Sequence, residues 1–324
     1  MDTALFKELM EQNTISEEEY IKVAGHKSQP INVYPELTTL LYLGILLFTA
    51  GLGILIYKNL DTIGHQVVVI FIALVSIACF IYSIIHAKGF SRSKVDSPGI
   101  VYDYILLLGC LLLLTFIAYV QFEYNLFGTH WGLAAFVPMV ILFAAAYYFD
   151  HIGVLALAIS NLATWVGFTI TPMHLWSGAN DKIIHAGIVL GLFLLAVSYI
   201  TTIKDHKAHF GFTYKNFGMH ILLTSLLAGS FTYDHVYLFY FIALAAVCFF
   251  FFRNAIRDSS FYLLAVSAGY FYIGVSYVVV HLTAEQAFSM GIIYLNSIYF
   301  IISGIMLIWM LIHYNKIIKQ NGKV

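Results

Sequence analysis

Along most of this chain the apolar residues neither alternate nor recur every third or fourth position. They run on for about 20 residues at a time, the length of helix that crosses bilayer hydrocarbon at 1.5 Å rise per residue. Short polar breaks separate ten such runs, at 37–57, 65–86, 100–120, 131–149, 151–170, 183–203, 214–230, 236–252, 260–281 and 290–314. The expected fold is therefore all-α, a polytopic membrane protein with ten transmembrane helices. Between the fourth and fifth runs stand only Asp150 and His151. One helix through both would be too long for any bilayer, so the pair predicts a tight hairpin or a re-entrant arrangement.

Residues 1–36 read differently. Ser16 with Glu19 makes a capping box, Ile15 faces Tyr20 as a hydrophobic staple, and Gly25 supplies a helix stop. Leu5, Leu9 and Met10 give a preceding helix an apolar stripe to set against Tyr20, Val23 and Ala24, so the segment predicts a helical hairpin head. Pro30 and Pro35 make a semi-rigid link to the first span. Three parts follow: the head and linker at 1–36, the transmembrane domain at 37–314 and a basic tail at 315–324.

Composition supports the bilayer class, with 61% apolar and 10% charged residues. Charge then orients it. Every Lys and Arg except Lys58 and Lys182 falls on the termini or on even-numbered loops. By the positive-inside rule both termini are cytoplasmic, and the first span acts as its own uncleaved insertion signal. The head carries Asp2, Glu8, Glu11, Glu17, Glu18, Glu19 and Glu36 against Lys7, Lys22 and Lys27, which suits a cytosolic protein partner better than an anionic leaflet. A net charge of −1 and the lack of a basic, aromatic-interleaved soluble segment exclude nucleic acid as a partner. Cys79, Cys110 and Cys248 all lie inside spans, so neither a disulfide framework nor a thiolate zinc site is expected.

The stretch Leu9-Met10-Glu11-Gln12-Asn13-Thr14-Ile15-Ser16-Glu17-Glu18-Glu19-Tyr20 precedes a glycine-bearing span. That span runs from Leu43-Gly44 through Ala50-Gly51-Leu52-Gly53 to Asn59-Leu60-Asp61. Over about the first 65 residues this resembles a family of uncharacterised bacterial multi-pass membrane proteins, domain of unknown function 2157, with Leu60 where that family carries Trp. The resemblance implies a multi-spanning fold in the bacterial cytoplasmic (inner) membrane and no known activity.

Candidate chemistry is sparse. Asp103 and His220 are placed about one turn inside their spans, near a membrane face, which leaves the interior without ionisable groups and argues against ion-coupled transport. Within span 5, Asn161 has Trp165 one turn on, and Tyr270 and Tyr277 share a face of span 9. An amide in hydrocarbon takes an interhelical hydrogen bond or contacts a ligand, so these four residues are the candidate lining of a small-molecule cavity. Gly187 and Gly191, four apart in span 6, suit close helix packing. On the odd-numbered side, Asp61 with His65, Asp181 with His185, and His281 with Glu285 are each four apart, raw material for a divalent metal site. The competing reading is helix capping, with Asp61 and Asp181 as N-caps and Thr283 with Gln286 as a capping box. The loop Lys204-Asp205-His206-Lys207 with His209 reads as a solvated, topology-setting turn. No G-x-S-x-G, P-loop or dinucleotide motif is present, so neither nucleophilic catalysis nor a cofactor is expected.

Three functions remain: binding or moving a neutral or hydrophobic small molecule, a scaffold or sensor whose acidic head recruits a cytosolic partner, and an outward-facing metal-binding protein or metalloenzyme.

Overall fold

The structure, a computed structural model, describes Ser16 and residues 34–58, 64–128, 130–170, 181–205, 207–284 and 290–321. The expected head hairpin lies outside these residues. Ten helices occur among them: α1 (Tyr34–Lys58), α2 (His65–His86), α3 (Ile100–Tyr124), α4 (Trp131–Phe149), α5 (Ile152–Ile170), α6 (Asp181–Ile203), α7 (Phe210–Thr232), α8 (Tyr237–Arg257), α9 (Phe261–Ala284) and α10 (Met290–Asn321). The described residues contain no strand. Each expected apolar run is helical, and eight helices are long and apolar enough to cross a membrane. The other two are α1, whose apolar stretch Thr39–Leu55 is shorter, and α7.

The chain divides into two compact units, residues 1–65 and 66–324. In the first, α1 exposes Leu40, Leu47, Phe48 and Ile54, a surface that suits lipid rather than water. The second unit holds the other nine helices. Its outward faces are as apolar, with Ile70, Leu74, Ile77 and Ile81 exposed on α2 and Ile301, Ile305, Ile308 and Ile312 on α10.

Two cores share α6 and α7. Tyr102, Leu106 and Cys110 of α3, Leu142 and Ala146 of α4, Leu155 and Ile159 of α5 and Leu194 of α6 enclose Phe210 and Tyr214 of α7. Further along α7, Met219, Leu222, Leu223 and Leu226 enter a second core with Leu244 and Phe251 of α8 and Leu263 of α9. Because α7 is largely walled by protein, it tolerates the buried Thr213 and the half-buried Lys215, Asn216 and His220, residues a lipid-facing helix avoids. Its seam with α6 is close-packed. A Cβ on Gly191 would lie 2.8 Å from the Leu222 backbone nitrogen, and one on Gly187 would strike the Ser225 hydroxyl, so the glycine pair of α6 serves close packing.

The Asp150-His151 pair closes a hairpin. Asp150 takes the left-handed conformation at φ 56 and returns its backbone N–H to the Ala146 carbonyl, ending α4 and letting α5 start two residues later. Asn161 of α5 donates to the Ala135 carbonyl of α4 at 2.7 Å, so the two helices run antiparallel in contact, each long and apolar enough to cross a membrane.

Candidate functional site

At the end of the bundle where α7 begins, three connections meet on one carboxylate. Asp150 from the α4–α5 turn accepts from the Val95 N–H at 2.5 Å and from His209 Nε2 at 2.6 Å. Lys207 Nζ lies 2.9 Å from Oδ2, the oxygen that also accepts from Val95, with side-chain exposures of 0% for Lys207 and 1% for Asp150. Among the described residues the ammonium makes no aligned hydrogen bond, so the contact is an ion pair, supplemented by the Phe90 ring 5.6 Å away. Lys207 also donates its backbone N–H to the Arg92 carbonyl. The turn expected to be solvated is thus sealed at Lys207 and His209, a correction with a plain cause: a buried carboxylate requires buried partners. His206 lies outside the described residues.

Next along the chain, His151 Nδ1 accepts the Val154 N–H at 3.1 Å, capping α5, which leaves the ring proton on Nε2. That nitrogen sits 3.7 Å from Asp103 on α3, itself bonded by Ser97. Burial pushes the His151 imidazole below its ordinary range, and the Asp103 charge opposes that shift without overcoming it. At the α8–α9 turn, burial pushes the Asp258 carboxyl up, but Lys215 at 3.0 Å and Arg257 hold it below the usual carboxylate range.

The second feature corrects the expected position of His220. Because α7 starts at Phe210, His220 stands ten residues in, roughly 15 Å along a 23-residue helix, and so at its middle. The interior of the bundle therefore does contain an ionisable ring, and both of its nitrogens are bonded. His220 Nε2 lies 2.9 Å from the Tyr262 hydroxyl, which donates to Asn216 Oδ1 at 2.7 Å. On the other side, Nδ1 lies 3.2 Å from the Tyr270 hydroxyl, which is 2.9 Å from that of Thr224.

Beside this seam α5, α6 and α7 leave a cavity of about 330 Å³. Ala163, Val166 and Gly167 of α5 and Ile183, Ala186 and Leu190 of α6 form its apolar wall, and His220, Thr224 and Ser225 of α7 supply the polar edge. A neighbouring apolar groove of about 570 Å³, lined by Trp165, His185 and Phe193, shares Val166, Ala186 and Leu190 with it.

The sequence-derived candidates do not converge on one point. Asn161 is engaged with Ala135. Trp165 packs 5.4 Å from Phe136 and lines the neighbouring groove. Tyr270 meets His220 and Thr224, whereas Tyr277 stacks on His281 beside Tyr237. Of the metal candidates, Asp61, Glu285 and the Asp181 side chain lie outside the described residues. His65 opens α2, His185 Nε2 is 3.3 Å from the Tyr240 hydroxyl, and the His281 ring is 4.5 Å from that of Tyr237. Among the described residues no three His, Cys, Asp or Glu side chains gather to hold a metal ion. Sequence reasoning missed Asp150, Lys207, His209 and His151. The available signal was an acid placed alone between two spans with cations only on same-side loops.

Residues 7–155 match a family described as predicted membrane protein (DUF2157). The similarity thus runs well past the first 65 residues, through α1 to the start of α5. No curated protein and no solved structure matches the chain. With eight long apolar helices, the protein is a multi-pass membrane protein.

Proposed function

We propose that the protein binds or moves a neutral or hydrophobic small molecule through the cavity between α5, α6 and α7. It does so in the bacterial cytoplasmic (inner) membrane, with ten crossings and both termini in the cytoplasm. The cavity carries this reading: about 330 Å³ of mostly apolar space beside one short polar edge, a size and lining that suit a small ligand. Tyr270 supports that edge from behind through His220 and Thr224, and Trp165 walls the adjoining groove. The distribution of Lys and Arg supports the orientation, since Lys88, Arg92, Lys94, Lys204 and Lys207 belong to the connections at the Asp150 end.

Native mass spectrometry of the full chain, released from its membrane in mild detergent, tests the binding. A neutral molecule is expected to copurify and to be lost in Ala186→Phe, which fills the space shared by cavity and groove. A bare wild-type protein, or a ligand retained by A186F, overturns the proposal.

A further inference from the structure

We propose that the α7–α9 seam is a proton relay, with His220 as its central group, joining the Asp150 end of the bundle to the α5–α7 cavity. The inference rests on the cavity being the working site, but its chemistry stands on the hydrogen bonds themselves. Five polar groups form an unbroken chain from Asn216 through Tyr262, His220 and Tyr270 to Thr224. Its sense is set at one end, because Asn216 Oδ1 can only accept. The Tyr262 proton is then committed to Asn216, so the Tyr262 oxygen accepts from His220 Nε2–H. The neutral ring is left to accept at Nδ1 from Tyr270, whose oxygen accepts from Thr224.

Every donor in that arrangement points the same way, which is the condition for passing a proton along. A proton arriving at the Thr224 oxygen from the cavity displaces the hydroxyl proton to Tyr270, and the Tyr270 proton moves to Nδ1. The Nε2 proton moves to Tyr262, an exposed residue, whose own proton turns away from Asn216 and passes to water. No charge is left behind, and reversing the hydroxyls and the tautomer resets the chain. Imidazole suits the central place, because it takes a proton on one nitrogen while releasing one from the other.

The geometry also covers the distance. The chain occupies the first half of α7, starting beside the Lys215–Asp258 ion pair. The cavity takes over at Thr224 and reaches Gly167, three residues from the end of α5, and Ile183, the third residue of α6. Those positions lie toward the end of the bundle opposite Asp150. Relay and cavity together therefore traverse it. Among the described residues the α5 and α6 walls bring no titratable side chain to the cavity, and from α9 His220 meets Tyr262 and Tyr270 in ring or hydrogen-bond contact.

The test needs no ligand, so its failure is separable from failure of the binding proposal. The full chain is reconstituted into zwitterionic phospholipid vesicles holding a trapped pH-sensitive dye, and a potassium diffusion potential, inside negative, drives protons inward. Uptake is expected well above that of empty vesicles. His220→Gln should lower the protein-dependent part about a hundredfold, the scale on which one positioned proton-transfer group acts. Tyr262→Phe, which removes one hydroxyl at an exposed residue, should lower it in the same direction even if H220Q fails to fold. Tyr277→Phe, whose ring sits on Phe231, Tyr237 and His281 off the chain, should leave it unchanged. Uptake equal to empty vesicles, or uptake that survives both H220Q and Y262F, overturns the relay.

Discussion

The Asp150 carboxylate and the Lys207 ammonium lie 2.9 Å apart with neither side chain reaching solvent. They come from connections 57 residues apart, and His209 and the Val95 amide close the remaining sides of the carboxylate. Taking two charges out of water is costly, and a buried pair is tolerated only while both members stay.

Removing one partner should therefore be worse than removing both. Lys207→Met leaves Asp150 short of a counter-charge and is expected to cost about 3–5 kcal/mol. Asp150→Asn in the same chain should return most of that, because Asn suits the left-handed turn and keeps an acceptor for Val95. Thermal unfolding in detergent of the two single variants and the double variant reads the coupling.

Acid should weaken the fold through His151. Burial holds this ring below its ordinary range despite Asp103, so the unfolded chain takes up the proton at higher pH than the folded protein. The stability is then complete above the unfolded value of about 6.5 and is lost as the pH falls from there toward the folded value. His151→Asn keeps a side-chain acceptor for the Val154 N–H and does not titrate, so it should flatten the fall in unfolding midpoint between about pH 7 and about pH 5. A slope that persists in H151N would belong to another group.

Two glycines should answer differently to the same methyl group. A Cβ on Gly191 meets the Leu222 backbone at 2.8 Å, where nothing can rotate away, whereas Gly167 has open space around it. Gly191→Ala is expected to destabilise by about 1–3 kcal/mol. Gly167→Ala should be neutral or stabilising by up to about 1 kcal/mol, as Ala is the better helix former. Denaturation midpoints of the purified variants separate the two.

Asn161→Leu tests whether that amide packs helices or touches a ligand. With its bond to Ala135 as the only role, the variant should lose about 1 kcal/mol of stability and still carry the copurifying molecule in native mass spectrometry. Loss of the molecule with unchanged stability would return Asn161 to the binding surface.

Helix number and approximate position were legible because lipid-facing runs must be apolar throughout, which needs no knowledge of neighbours. The start of α7 was not. Phe210 to Asn216 is too polar for a lipid-facing helix, so the sequence places the span from 214 and sets His220 near a membrane face. In the bundle α3, α4, α5 and α6 close over Phe210 and Tyr214 of that segment, and burial in protein removes the demand for apolar side chains. The Asp150 cluster was hidden for another reason. Its members come from three separate connections, and no local periodicity records which loops close over one another. The Asn161 bond was anticipated as one of two alternatives, since an amide in hydrocarbon has to be paired and only its partner was open.

The polarity of α7 also bears on how the protein is made. A helix below the hydropathy of its neighbours gains little from partitioning into lipid by itself, so its insertion draws on contacts with helices already in place. Substitutions along the Gly187–Gly191 face should accordingly lower the amount of chain that integrates, in addition to the stability of the protein that does.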